Sequence, residues 1–183
     1  MPEVPVIETP RLRLRGWRDA DVEHWARLNA DPRVMEFFPS LYDRARSESG
    51  AAEMRATLER DGYGWWVAEI KEGARFAGVI ALQDVPFEAP FTPALEVGWR
   101  LPFDQWGHGY ATEGAAAALD FAFDKLGWSE VVAITPAINI RSQRVMQRLG
   151  MTRDASDDFE HPRLETGHRL RRFVLYRARP RSD

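Results

Sequence analysis

Cysteine is absent from the 183-residue chain, so neither a disulfide framework nor a thiolate nucleophile or zinc–thiolate site can be built from it. A reducing cytoplasm is the expected setting. No uninterrupted apolar run approaches the length of a membrane span. The opening MPEVPVIETP is acidic and proline-broken, unlike the basic and apolar regions of a signal peptide. A soluble protein with no membrane partner is expected. Excess charge is also small: a formal net charge of −3 does not favour nucleic acid, whose phosphates require a basic face. Arg163, Arg169, Arg171 and Arg172 cluster late in the chain without interleaved aromatics, which reads as a solvated surface rather than an RNA contact. Linkers, repeats and low-complexity tracts are missing too, so residues 1–183 are expected to form one domain. With 44% hydrophobic and 11% aromatic residues, that domain can bury one substantial core.

Alternation through Ile7, Leu12, Leu14 and Trp17 predicts a first strand over residues 6–17, with Pro10 at its edge or entry. Asp19 can cap a helix carrying Val22, Trp25, Ala26 and Asn29 on one stripe, with Pro32 just past its end. The apolar segment Val34 to Pro39 either packs on the core or walls a pocket. A second helix is predicted from Ser47 to Arg60, with Ala51, Met54 and Leu58 on one face. Strands follow at Gly64 to Ile70, Arg75 to Val85 and around Glu96. Tyr110 to Leu126 reads as the main helix, stopped by Gly127, and Val131 to Ile134 as a buried strand. A helix from Ile140 to Leu149, a turn-rich loop at Phe159 to Pro162 and a last strand, Phe173 to Arg177, complete the order β-α-α-β-β-β-α-β-α-β.

The stretch EVGWRLPFDQWGHGYA, from Glu96 to Ala111, carries the strongest chemical signal. It reads as a strand passing through a turn into a helix. Glycines at 107 and 109 remove side chains from the turn, so successive amides at the helix start can converge on an anion. Alone, such a G-x-G is also compatible with a tight, closely packed turn. A nicotinamide-binding Rossmann turn would need a third glycine, and position 112 is Thr.

Further on stand Asn139-Ile140-Arg141-Ser142 and Arg148-Leu149-Gly150-Met151. Together with Gln105, Gly107 and Gly109 they resemble the Q/R-x-x-G-x-G/A and N-x-x-S … L-G-F/M signatures of the GNAT superfamily of N-acyltransferases. The resemblance runs from about Thr9 to Ala178. It is nearest to the branch of ribosomal-protein N-terminal alanine acetyltransferases. It implies an α/β (α+β) single domain with a mixed central sheet of about six to seven strands and helices on both faces. It also implies acetyl-CoA as the acyl donor, an amine acceptor and no metal.

In that reading Gln105, Trp106, Gly107, His108, Gly109, Tyr110 and Ala111 surround the pyrophosphate, with the backbone as the binding element. His108 reads as a loop residue whose ring can still meet a phosphate. Val97, Trp99, Arg100 and Leu101 flank the pantetheine arm, and Gly98 suits a bulge or close approach, or simply makes room for neighbouring tryptophans. Glu96 is the candidate general base, with an ion pair to an arginine as its structural alternative; Asp84 and Glu88 are weaker candidates. Asn139 would hold a pantetheine amide and Ser142 would protonate the departing thiolate, since Met146 fills the position where many relatives carry an acidic tyrosine. Helix capping is the alternative role for Asn139 and Ser142.

Two other functions stay compatible with the sequence. One is a CoA-binding module without turnover; the other is transfer of an acidic acyl group such as succinyl, for which Arg100 offers a cation. The acceptor depends on the loops 33–43, 86–93 and 157–170, which periodicity does not shape. A homodimer is equally compatible with the sequence.

Overall fold

In the computed structural model, which describes residues 4–180, the first predicted strand is broken in two. Thr9 is the reason: its amide donates to the Leu12 carbonyl at 2.9 Å, while its hydroxyl oxygen accepts the Leu12 amide at 2.8 Å. The chain therefore turns at Pro10, and β1 (Ile7–Glu8) folds back antiparallel on β2 (Leu12–Arg15). α1 spans Asp19–Ala30, and Asp19 is not its cap; the Asp21 carboxylate reaches back to the Arg18 amide at 2.7 Å. α2, Arg44–Asp61, starts three residues before the predicted Ser47, because Asp43 accepts the Arg46 amide at 2.8 Å and supplies a cap.

Strands β3 (Trp65–Ile70), β4 (Arg75–Asp84) and β5 (Leu95–Arg100) then run as an antiparallel meander. α3 (Tyr110–Asp124), β6 (Val131–Pro136) and α4 (Ile140–Arg148) follow. The chain closes with β7 (Phe159–Glu160) and β8 (Arg172–Ala178). The sheet order is β1-β2-β3-β4-β5-β6-β8-β7, eight strands rather than six or seven. The excess lies at the edges: β1 and β7 are two residues each, and β7 falls where a loop was expected. Every neighbouring pair is antiparallel except β5 with β6.

Successive strand residues face opposite sides, so the sheet sorts its own contacts. On one side, Gly114 of α3 packs so tightly on β4 that an added Cβ would lie 2.8 Å from Ile80. On the other, Arg100 reaches Asn29 of α1 at 2.7 Å, and the Trp17 indole donates to the Trp65 carbonyl at 2.7 Å. Helices thus cover both faces. Leu12, Leu14, Trp66, Ile80, Leu82 and Leu175 are fully enclosed between them.

The bulge expected at Gly98 lies elsewhere. Gly98 has ordinary space, its nearest neighbour being Ala81 at 3.8 Å, whereas the β3–β4 register shifts between Ala68 and Glu69, opposite Gly78. Gly78 has φ +132°, and a Cβ there would meet the Arg100 carbonyl at 2.5 Å and the Leu101 Cα at 2.8 Å. The end of β5 passes directly over it. Gly78→Ala is therefore expected to cost roughly 2–5 kcal/mol, combining backbone strain with overpacking. A chemical-denaturation midpoint equal to that of the wild type would show that the β5 exit can move aside freely.

Candidate active site

β5 and β6 share a single parallel pair, Glu96 with Val132, although each strand is six residues long. On their outer sides both are fully engaged: β5 pairs with β4 from Leu95 to Arg100, and β6 with β8 from Val131 to Pro136. Past Glu96 the two strands diverge. The β6-facing edge of Val97, Gly98 and Trp99 is left without a strand partner, and buried backbone groups need one. An extended, amide-bearing molecule can fill that gap by strand-like pairing.

Where β5 leaves the sheet, a short 3-10 turn at Phe103–Gln105 leads into the glycine turn. Trp106 is anchored by its indole N–H on the Leu101 carbonyl at 2.9 Å. Gly107 and Gly109 have φ +80° and +81°, the left-handed region in which a side chain is strained. Gly109 is the N-cap of α3, and no side chain caps that helix. The first amides of α3 and the positive end of its dipole therefore face the turn unclaimed by a side chain. His108 is a loop residue stacked on Tyr110 with ring centroids 5.6 Å apart.

One brace of this turn carried no sequence signal. Arg11, at the β1–β2 turn, donates to the His108 carbonyl at 2.8 Å and to Glu113 at 2.6 Å, and its guanidinium lies 4.9 Å from the Tyr110 ring. Glu113 also accepts the Thr9 hydroxyl at 2.6 Å and the Arg11 amide at 2.8 Å. Burial opposes ionisation of Glu113, but the Thr9 and Arg11 contacts outweigh it and hold its pKa below the ordinary value. Arg11 therefore engages the His108 carbonyl and ties the turn to the first turn of α3 through Glu113.

Glu96 is half-buried on the α1 side of the sheet. Burial raises its pKa to about 7, opposed only in part by the Gln83 amide, which donates to the carboxylate at 3.2 Å. Among the described residues no ion pair with an arginine, its structural alternative, is formed. Gln83 is oriented in turn: the Trp65 indole, which can only donate, occupies the Gln83 oxygen at 2.9 Å and so directs the NH2 group at Glu96. Asp84 and Glu88 are exposed and lie outside this arrangement.

Across the cleft, Asn139 does cap α4, accepting the Ser142 amide at 3.2 Å. Its NH2 group donates to Thr135 Oγ1 at 2.9 Å and to Ser142 Oγ at 3.0 Å. Because Ser142 is an acceptor in that bond, its hydroxyl proton is free to be donated elsewhere. Met146 is buried in the core. The side chain of Arg100 does not join Val97, Trp99 and Leu101, because position 100 lies on the opposite face of β5 and the guanidinium turns toward α1.

Three loops gather round the cleft. Arg141 at the start of α4 pairs with Glu36 and sits 4.6 Å from the Trp106 ring, while Arg169 donates to the Glu36 carbonyl and Arg163 to that of Pro86. Of the late arginines, Arg163 and Arg169 thus tie loops together while remaining exposed, as a solvated surface requires, and Arg171 and Arg172 pair locally with Glu160 and Asp158. Phe87, Phe91, Phe159, His161 and Phe173 pack together and join residues 86–93 to 157–170. The Val34 to Pro39 segment divides: Val34 and Met35 are buried in the core, whereas Phe37 and Phe38 lie against Arg141 and Arg100.

A family model described as an acetyltransferase (GNAT) domain matches residues 11–152. The chain is 34% identical over 157 residues to the FsC-acetyl coenzyme A-N(2)-transacetylase of Aspergillus fumigatus, covering 81% of this chain and 65% of that protein. Its fold is similar to that of a GNAT-family acetyltransferase from Bacillus anthracis, with a TM-score of 0.79 at 20% identity over 96% of this chain and 98% of that one. It is also similar to RimL, a ribosomal L7/L12 alpha-N-protein acetyltransferase solved with coenzyme A, with a TM-score of 0.75 at 15% identity over 96% and 98% of the two chains.

Proposed function

The chain belongs to the acetyltransferase (GNAT) family and is an N-acetyltransferase, and on that premise we propose direct transfer of acetyl from acetyl-CoA to an amine, both held in the cleft between β5 and β6. The observation that supports this most is the coincidence of Glu96 with the last pair before the strands part. The amides of residues 105–111 and the α3 dipole, worth about half a positive charge, receive the pyrophosphate. The free edge of β5 pairs with the pantetheine amides, and one of its N–H groups meets the carbonyl oxygen as negative charge develops.

Glu96 takes the proton of the attacking amine, which near pH 7 would otherwise stay almost wholly protonated. With a pKa of about 7 it can accept and release that proton in every turnover. As the N–C bond forms and the C–S bond breaks, Ser142 gives its proton to the thiolate and regains one from solvent, while Glu96 releases the amine proton to solvent, and no side chain is acylated. The expected setting of this reaction is the cytoplasm.

A panel of amines assayed for thiol release with acetyl-CoA, with products identified by mass, tests the function. Stoichiometric N-acetyl product from at least one amine class is expected. Binding of acetyl-CoA with no amine-dependent thiol release would make the chain a silent CoA-binding module. Ser142→Ala is expected to lower kcat by up to ~100-fold, the low end for a positioned acid, with little change in acetyl-CoA affinity. Unchanged kcat with weaker binding would reduce Ser142 to a cofactor contact or part of the helix cap.

A further inference from the structure

Two buried side-chain donors among the described residues lack a partner, Trp25 Nε1 and Arg100 Nε, and they are neighbours: the Arg100 guanidinium lies 4.9 Å from the Trp25 ring. The same guanidinium is 4.0 Å from the Phe38 ring and 5.6 Å from that of Tyr42. Its side-chain acceptors carry no carboxylate: the neutral amide oxygen Asn29 Oδ1 at 2.7 Å, and the Tyr42 hydroxyl, whose contact favours the charged guanidinium. Trp25 and Asn29 are buried, while Phe38, Tyr42 and Arg100 keep part of their surface in solvent, so the cage has a closed floor and opens beside loop 33–43.

Arg15 shows what this fold does with a buried guanidinium when it is purely structural. That side chain is saturated by two carboxylates, Asp21 at 2.7 Å and Glu69 at 2.8 Å. Arg100 has neither. Burial lowers its pKa to about 10, which still leaves it charged at neutral pH. Arg46, a cation that opposes the charge of Arg100, lies 3.7 Å from the other occupant of the rim, the Tyr42 ring. An uncompensated buried cation with a second cation beside it is costly, and a carboxylate arriving with a ligand would relieve both.

Arg100 also lies four residues from Glu96 on β5, hence on the same face of the sheet. We infer that Arg100, Trp25 and their aromatic cage form a carboxylate-recognition site beside the transfer cleft, so that one of the two substrates carries an acid group. This rests on the acetyl-transfer reading above. The acid belongs either to the amine acceptor or to the acyl chain, and the two sources separate experimentally.

The acceptor arm compares ω-amino acids, from glycine to 6-aminohexanoate, with their amides, using acetyl-CoA. The acyl arm compares succinyl-CoA with butyryl-CoA on an uncharged amine. In one arm kcat/KM should favour the acid by ~10–100-fold, as for a site whose buried donors are left unpaired by the neutral analogue. Arg100→Leu should remove that preference while leaving the neutral substrate within about threefold, and Arg100→Lys should restore part of it. Trp25→Phe, which keeps the ring and removes the N–H, should reduce the preference less.

A binding readout independent of turnover covers the case in which no amine tested is acetylated. Tryptophan fluorescence should titrate with glutarate but not with glutaramide, and Arg100→Leu should weaken the glutarate response by ~10-fold or more. Absence of turnover with every amine would fail the acetyl-transfer reading and leave this titration to decide the site. Equal responses to acid and amide in the wild type, or the same response in Arg100→Leu, would overturn the inference and make the cage a hydrated structural contact.

Discussion

Gly107→Glu is expected to abolish stabilisation by acetyl-CoA. In the wild type, ligand at 100-fold above its Kd should add about 2.7 kcal/mol and raise Tm by roughly 5–10 °C for a domain of this size. Nothing lies within 4 Å of the Cβ position at Gly107, so a side chain placed there meets open space rather than packed protein. A glutamate would then add a negative charge to the turn whose amides are proposed to hold a pyrophosphate, repelling it at short range. Backbone strain at φ +80° is shared by Gly107→Asn, whose neutral side chain tolerates this region, and that variant should keep much of the shift. A full shift in Gly107→Glu would remove the turn as the anion site.

Glu96→Gln is expected to lower kcat by about 10²–10⁴-fold, the range for a positioned general base, with acetyl-CoA affinity nearly unchanged. Wild-type kcat/KM should rise with pH and level off above about 7, where Glu96 is ionised, and that inflection should be missing from the variant. The same group makes a stability prediction of opposite sense. A carboxyl whose folded pKa lies above its unfolded value holds its proton more tightly when folded. Its contribution is therefore fully present below about pH 4.5 and is lost as pH rises through about 7. At about 1.4 kcal/mol per pKa unit the difference reaches at most about 3 kcal/mol, less any screening by the solvent that still touches the group. Glu96→Gln should accordingly match the wild type in denaturation experiments near pH 4.5 and exceed it at pH 8. Parallel stability–pH curves would show that Glu96 is not strained by its surroundings, and an unchanged rate profile would hand the proton to a water relay.

The elements that place the site were legible where the signal was local. The turn from Gln105 to Ala111 announces itself, because two glycines at left-handed φ and an uncapped helix leave traces in adjacent residues. Asn139 likewise reads as a cap because the helix it starts is contiguous. The brace on that turn was not legible: Arg11 and Glu113 are 102 residues apart, and only the β1–β2 turn brings them together. Gln83 and Trp65 were missed for the same reason, since each aligns Glu96 only through cross-strand register. Gly98 drew attention as a possible bulge because it stands in the motif, yet the close approach is at Gly78, fixed by the path of β5 above it. Arg100 shows the limit of strand arithmetic. Alternation places it on the face opposite Val97 and Trp99, but that its guanidinium would be caged without a counter-ion depends on α1 and loop 33–43.

The transfer reading meets its most direct test in a rapid-mixing experiment with enzyme in excess of radiolabelled acetyl-CoA, run with and without an amine that supports turnover. Direct attack predicts that thiol appears only when the amine is present, in step with N-acetyl product, and that the protein never carries label. A burst of thiol without amine, accompanied by labelled protein, would contradict it and place an acyl-enzyme on the path.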